Sequence, residues 1–129
     1  MNEQSIAPVM PGGELAEHIA RGDAFVLDVR SAVHGGQIFG AIRYDPEKLL
    51  EAARLMLPLP KGDGVIVLYD EDGRGERAAR IAERLRSEGY APPRLLAGGF
   101  ATWRSEQRAV EEATLEQPVP LVSEQQLER

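Results

Sequence analysis

Val65-Ile66-Val67-Leu68-Tyr69, entered through the turn Lys61-Gly62-Asp63-Gly64 and followed by Asp70-Glu71-Asp72-Gly73-Arg74-Gly75, decides how the chain reads. Five consecutive β-favouring or apolar residues with no polar alternation predict a strand covered on both faces, which is the habit of a parallel sheet. Beyond the polar loop, Ala78, Ile81, Ala82 and Leu85 fall at i, i+3, i+4 and i+7, an inward helical stripe, with arginine and glutamate on the other faces and Gly89 as a stop. Strand, glycine loop and helix together make one unit of a layered α/β domain.

The flanks repeat the pattern. Upstream, Ala24-Phe25-Val26-Leu27 runs into Asp28-Val29-Arg30 and predicts a second interior strand, preceded by a helix over 14–21 that Gly22 ends. Gly35, Gly36 and Gly40 mark a loop, and Ala41-Ile42-Arg43 a short edge strand. Asp45 and Pro46 open a helix as N-cap and first residue, with Leu49, Ala52, Ala53 and Met56 inward and an end before Pro58. Downstream, Arg94-Leu95-Leu96 predicts a last short strand, Gly98-Gly99 a sharp turn, and 100–106 a short helix with Phe100 and Trp103 facing the core. The stretch before residue 14, with Pro8, Pro11, Gly12 and Gly13, reads as irregular. Residues 112–129, rich in Glu with Pro118 and Pro120, read as a polar, acidic tail that is extended, mobile or draped on a partner, and 1–111 as the single folded domain.

Composition removes whole classes of function. The 129 residues contain no cysteine, which excludes disulfides, thiolate metal sites and a cysteine nucleophile. A net charge of −6 gives no general attraction to phosphate backbones or anionic lipid, so no nucleic acid and no membrane partner is expected. Two histidines, His18 and His34, are too few for a histidine-rich metal centre, and no metal or cofactor is expected. No apolar run approaches the roughly 18 residues that cross a bilayer, and the first residues carry no secretory pattern. A cytoplasmic setting is the expectation.

Three motifs in order carry a family resemblance. Leu27-Asp28-Val29-Arg30 is followed by Gly36-Gln37-Ile38-Phe39-Gly40-Ala41-Ile42, and Leu96-Ala97-Gly98-Gly99-Phe100-Ala101-Thr102-Trp103 comes near the end. Together they resemble the rhodanese, or thiosulfate sulfurtransferase, domain: an Asp-Val-Arg strand end, a Gly-His-Ile-Pro-Gly-Ala-Ile pattern matched here at five of seven positions, and Leu-x-Gly-Gly-x-x-x-Trp. The resemblance implies a three-layer α/β fold with a mostly parallel five-stranded sheet and helices on both faces. It also implies a site in the loop after the central strand, where a Cys-x-x-Gly-x-Arg sequence curls backbone amides around a nucleophilic sulfur. In this chain that loop is Asp70, Glu71, Asp72, Gly73, Arg74, Gly75, Glu76 and Arg77. Counting from the strand puts Asp70 in the nucleophile's place; counting from the helix stripe puts Asp72 there, with Gly75 and Arg77 matching the later Gly and Arg. The first register also resembles the inactive N-terminal halves of two-domain sulfurtransferases, as Tyr69-Asp70, Gly73 and Ala78-Ala79-Arg80 do. Asp28, Arg30, Gly98 and Gly99 are implied to support the pocket.

A carboxylate cannot carry a transferable sulfur in either register, and Asp70, Glu71, Asp72 and Glu76 would crowd negative charge around a cradle suited to anions. The expectation is therefore a catalytically inactive rhodanese-like module that binds a protein partner or a small ligand. The alternative enzyme is a divalent-metal-dependent phosphoryl hydrolase of the haloacid dehalogenase kind using Asp70 and Asp72. It lacks the later lysine, since Lys48 and Lys61 both precede the motif. A response-regulator receiver domain fails for want of its upstream acidic pair and a late lysine. Solvent-facing loop residues are the ordinary reading of His34 and of the loop carboxylates.

Overall fold

The computed structural model describes residues 7–119. In chain order its elements are β1 (Val9–Met10), α1 (Gly12–Arg21), β2 (Ala24–Asp28), β3 (Gln37–Ile38), β4 (Ile42–Arg43), α2 (Pro46–Glu51), β5 (Val65–Tyr69), α3 (Glu76–Ser87), β6 (Arg94–Leu96), α4 (Gly99–Ser105) and β7 (Val110–Glu111). Five strands form one sheet in the order β1-β6-β5-β2-β4 with every pair parallel, so the apolar run at 65–69 lies at its centre. β5 runs beside β2 along its whole length, from Ala24 opposite Val65 to Asp28 opposite Tyr69.

The two-residue period of these strands sorts their side chains into two cores. Leu27, Ile66 and Leu68 face Leu49 of α2 and the α3 stripe Ala78, Ile81, Ala82 and Leu85. Val26, Val67 and Tyr69 point the other way, onto Leu15 of α1 and onto Phe100 and Trp103 of α4. Helices thus cover both faces, and α3 and α4 begin side by side beyond the carboxyl ends of the interior strands β5 and β6.

Local chemistry fixes most of the predicted boundaries. Gly22 closes α1 at φ 72°, and the Asp45 carboxylate accepts the Glu47 N–H at 2.9 Å to cap α2. The second helix is shorter than its apolar stripe predicts: it stops at Glu51, Ala52 is extended, and Met56 is left 54% exposed while Leu55, Leu57 and Leu59 turn inward. The cause lies on α3, where the Arg84 guanidinium donates to the carbonyls of Leu49, Leu50 and Ala52, and Glu88 accepts the Leu55 N–H at 3.0 Å. These bonds satisfy the end of α2 where another turn would otherwise have done so.

Two further departures concern short strands. The supposedly irregular start contains α1 from Gly12 and the edge strand β1, paired with β6. Val110 and Glu111 form β7, antiparallel to β3. From there 112–119 run back over the domain itself: the Gln117 N–H donates to the Arg43 carbonyl at 2.8 Å, and Val119 is buried in the α2–α3 core. The rest of the expected tail, 120–129, lies outside the described residues. None of the described helices is long and apolar enough to cross a membrane.

Candidate functional site

The loop 70–75 joins the end of β5 to α3, which has no side-chain N-cap. Three of its amides are already engaged. The Asp70 carboxylate turns back into the loop and accepts the N–H groups of Gly73 and Gly75 at 2.6 and 2.7 Å, and Asp72 accepts that of Arg74 at 3.0 Å. Sequence alone places the loop carboxylates around a cradle for anions; one of them instead lies inside it. A concave run of amides binds whichever anion is held closest, and here that anion is covalently attached.

From behind, α4 braces the loop. The Phe100 and Ala101 N–H groups donate to the carbonyls of Asp70 and Glu71 at 2.9 and 2.8 Å. This approach requires glycine at Gly99: φ is 63°, and a Cβ there would stand 2.6 Å from the Gly73 nitrogen and 2.8 Å from the Asp70 carbonyl oxygen. Gly73 packs as closely against the Gly98 backbone. Gly98 and Gly99 therefore support the loop through main-chain contact.

Asp28 and Arg30 form the other support. Both are buried, and Arg30 donates to Asp28 through Nε at 3.0 Å and Nη2 at 2.6 Å, while the Arg30 backbone N–H donates to Asp28 Oδ1 and so ends β2. The same guanidinium reaches the carbonyls of His34 (3.2 Å) and Gly36 (2.6 Å), and Glu71 stands 3.5 Å away. It also lies 4.1 Å from the centre of the Phe100 ring. Burial works against its charge, yet the bonded Asp28 carboxylate, with Tyr69 and Glu71 adding to it, more than offsets this and holds the guanidinium above its usual pKa. Tyr69 completes the group. Its hydroxyl donates to Asp28 at 2.7 Å and accepts the Ile38 N–H at 3.1 Å, and burial, followed by the Asp28 charge, pushes its pKa far above that of a free phenol.

A cleft of about 560 Å³ opens beside the loop, between the segment after β2 and the start of α3. Asp70, Glu71, Asp72, Gly75, Glu76 and Arg77 line it, whereas Gly73 and Arg74 do not. Arg77 is tethered across the cleft to the Ser31 hydroxyl and pairs with Glu47 at 3.3 Å. Sequence reasoning missed Ser31, Ala32 and Arg80, which also line the cleft, and gave His34 no more than a solvent-facing place although it lines the cleft too. The available signal was Arg30: a buried arginine needs acceptors beyond one aspartate, and the polar loop immediately after it supplies them. Tyr69 was legible only as the end of a strand. Among the described residues no group of three or more His, Asp or Glu side chains is placed to hold a metal ion.

The rhodanese-like domain model matches residues 12–106, which is most of the chain and includes every element from α1 to α4. The chain belongs to the rhodanese-like domain family. Solved structures agree. A Rhodopseudomonas palustris protein of unknown function is 22% identical with a TM-score of 0.65, covering 81% of this chain and 85% of its own. A Lactobacillus plantarum protein is 27% identical with a TM-score of 0.65, covering 86% and 91%. An Escherichia coli 3-mercaptopyruvate sulfotransferase with the rhodanese fold is 25% identical with a TM-score of 0.65, covering 87% of this chain but 54% of that one. No curated protein sequence matches significantly. This rhodanese-like domain has no cysteine anywhere in its sequence, and so no thiol on which a persulfide could form.

Proposed function

We propose that this rhodanese-like domain is catalytically inactive and serves as a binding or regulatory module, engaging a protein partner or small ligand through the cleft beside residues 70–77. The observation that carries the reading is the Asp70 carboxylate seated on the Gly73 and Gly75 amides. Asp70 directly follows the central strand, and six residues separate Tyr69 from α3, which favours the register that puts Asp70 in the nucleophile's place. A carboxylate there has no sulfur to transfer, and it occupies two of the loop donors, the Gly73 and Gly75 amides, that would steady a thiolate or an incoming thiosulfate. With both oxygens already bonded to main-chain N–H groups, Asp70 is also poorly disposed to attack a phosphoryl group or to hold a magnesium ion.

The test is an assay of thiocyanate formation from thiosulfate and cyanide by the purified chain and by Asp70→Cys. Neither is expected to work: Glu71, Asp72 and Glu76 remain near the new thiol, disfavouring the thiolate and repelling the donor, so the variant should stay at least about 100-fold below an active rhodanese domain run alongside. Brisk turnover by Asp70→Cys would sink the proposal. So would magnesium-dependent hydrolysis of p-nitrophenyl phosphate by the wild-type chain that disappears in Asp70→Asn.

A further inference from the structure

Residues 110–119 follow the family-matched stretch and are mostly exposed, yet they are fastened to the domain at two buried points, Val119 in the α2–α3 core and, nearer the cleft, Gln37. Gln37 has no exposed surface. A carboxamide offers two donors and an acceptor with two lone pairs, and all four positions are filled: Nε2 donates to the Ala41 carbonyl at 3.0 Å and to Glu111 Oε2 at 2.8 Å, while Oε1 accepts the Thr114 N–H at 2.9 Å and its hydroxyl at 3.2 Å. Three of these four bonds come from the C-terminal segment. Glu111 accepts a further bond from the Gly40 N–H at 3.0 Å, and its carbonyl oxygen lies so close to Gly36 that a Cβ there would stand 2.5 Å from it. Farther along, Arg43 donates to the Thr114 carbonyl at 2.7 Å and pairs with Glu116 at 3.6 Å.

The Gln37 fastening point adjoins the cleft. Residues 31–36 form its outer wall, contributing Ser31, Ala32 and His34. One side of that wall hangs from Arg30, through the carbonyls of His34 and Gly36; its far end runs directly into Gln37 and the β3–β7 pair. Glycines at 35 and 36, both at positive φ, leave the span between these two anchors with little stiffness of its own. We propose that residues 111–119 are a clasp that fixes the cleft's outer wall through the buried carboxamide of Gln37, so that whatever breaks the bonds of Glu111 and Thr114 to Gln37 reshapes the cleft. A device of this kind makes the C-terminal segment a regulatory element of the cleft, and it holds whatever the cleft binds.

The test uses the full chain and nitrogen-15 relaxation. In Glu111→Ala, backbone order parameters at 31–36 should fall from about 0.85 to below about 0.6, and the Arg30 Nε–H signal should shift. Thr114→Pro, which removes two of the Gln37 bonds at an exposed position, should act alike and decides the matter if Glu111→Ala does not fold. Arg43→Ala loosens the far half of the clasp but leaves Gln37 bonded, so the wall should stay as in wild type. An unchanged wall in both clasp variants, or equal disturbance by Arg43→Ala, overturns the proposal. Because no activity or binding is read, this result is separable from the fate of the sulfur-transfer assay.

Discussion

At the scale of the residue, Asp28, Arg30 and Tyr69 form a buried trio bonded through the Asp28 carboxylate. Arg30→Leu strands the Asp28 carboxylate with the Tyr69 hydroxyl and the Arg30 backbone amide as its remaining donors, and should cost about 3–5 kcal/mol by chemical denaturation, as truncated buried ion pairs do. Tyr69→Phe removes a donor to Asp28 and an acceptor for Ile38 and should cost about 1–3 kcal/mol. The same phenol predicts a pH effect whose sign follows from its raised pKa. Below pH about 10 the phenol is protonated in both folded and unfolded chains and its contribution is complete. Above that pH the unfolded chain ionises while the native chain does not, so stability should fall by up to about 1.4 kcal/mol per pH unit for this group. Tyr69→Phe should flatten the alkaline limb of a stability profile. An equally steep limb in the variant would mean that Tyr44, whose pKa burial also raises, carries it.

At the scale of the element, the end of α2 is set from across the domain. Arg84 holds two of its last carbonyls and that of the capping Ala52, and pairs with Glu88 at 2.9 Å, and that glutamate in turn fixes Leu55. Arg84→Ala should therefore cost about 2–4 kcal/mol, since buried carbonyls lose a charged donor. Arg84→Lys should recover little, because a single ammonium cannot span three carbonyls. Denaturation midpoints of the two variants check this; a midpoint within error of wild type for Arg84→Ala would show the cap to be dispensable. The case also marks the limit of what the sequence could show. The apolar stripe through Leu49, Ala52, Ala53 and Met56 is genuine as far as Ala52, but what truncates it sits more than thirty residues away. Elements fixed by their own composition, such as β5 and α3, were legible almost to the residue. β1 and β7, two residues each, exist only through the strands they pair with. Within the candidate site the residue types were legible, but the inward turn of Asp70 is a property of loop backbone that neither charge nor spacing reveals.

At the scale of the whole molecule, the question is where the folded unit ends. The family match stops at residue 106 and the polar composition suggests a boundary after Glu111, yet the chain remains attached as far as Val119. The last described stretch adds the β7 pairing, three of the four bonds of buried Gln37, the Gln117–Arg43 main-chain bond and the burial of Val119. Trp103 is involved too, since its indole N–H donates to the Ala109 carbonyl at 2.8 Å. A chain ending after Arg108 leaves the Gln37 amide and the Trp103 indole without these partners, each worth about 1–3 kcal/mol when buried, and forfeits about 1.5 kcal/mol of Val119 burial. Compared with a chain ending after Val119, it should melt lower by on the order of 10 °C or more. Calorimetry of the two chains at equal concentration decides it: melting temperatures within about 2 °C, a shift below about 1 kcal/mol, would place the boundary of the folded unit before β7 and make the attachment of 110–119 energetically idle.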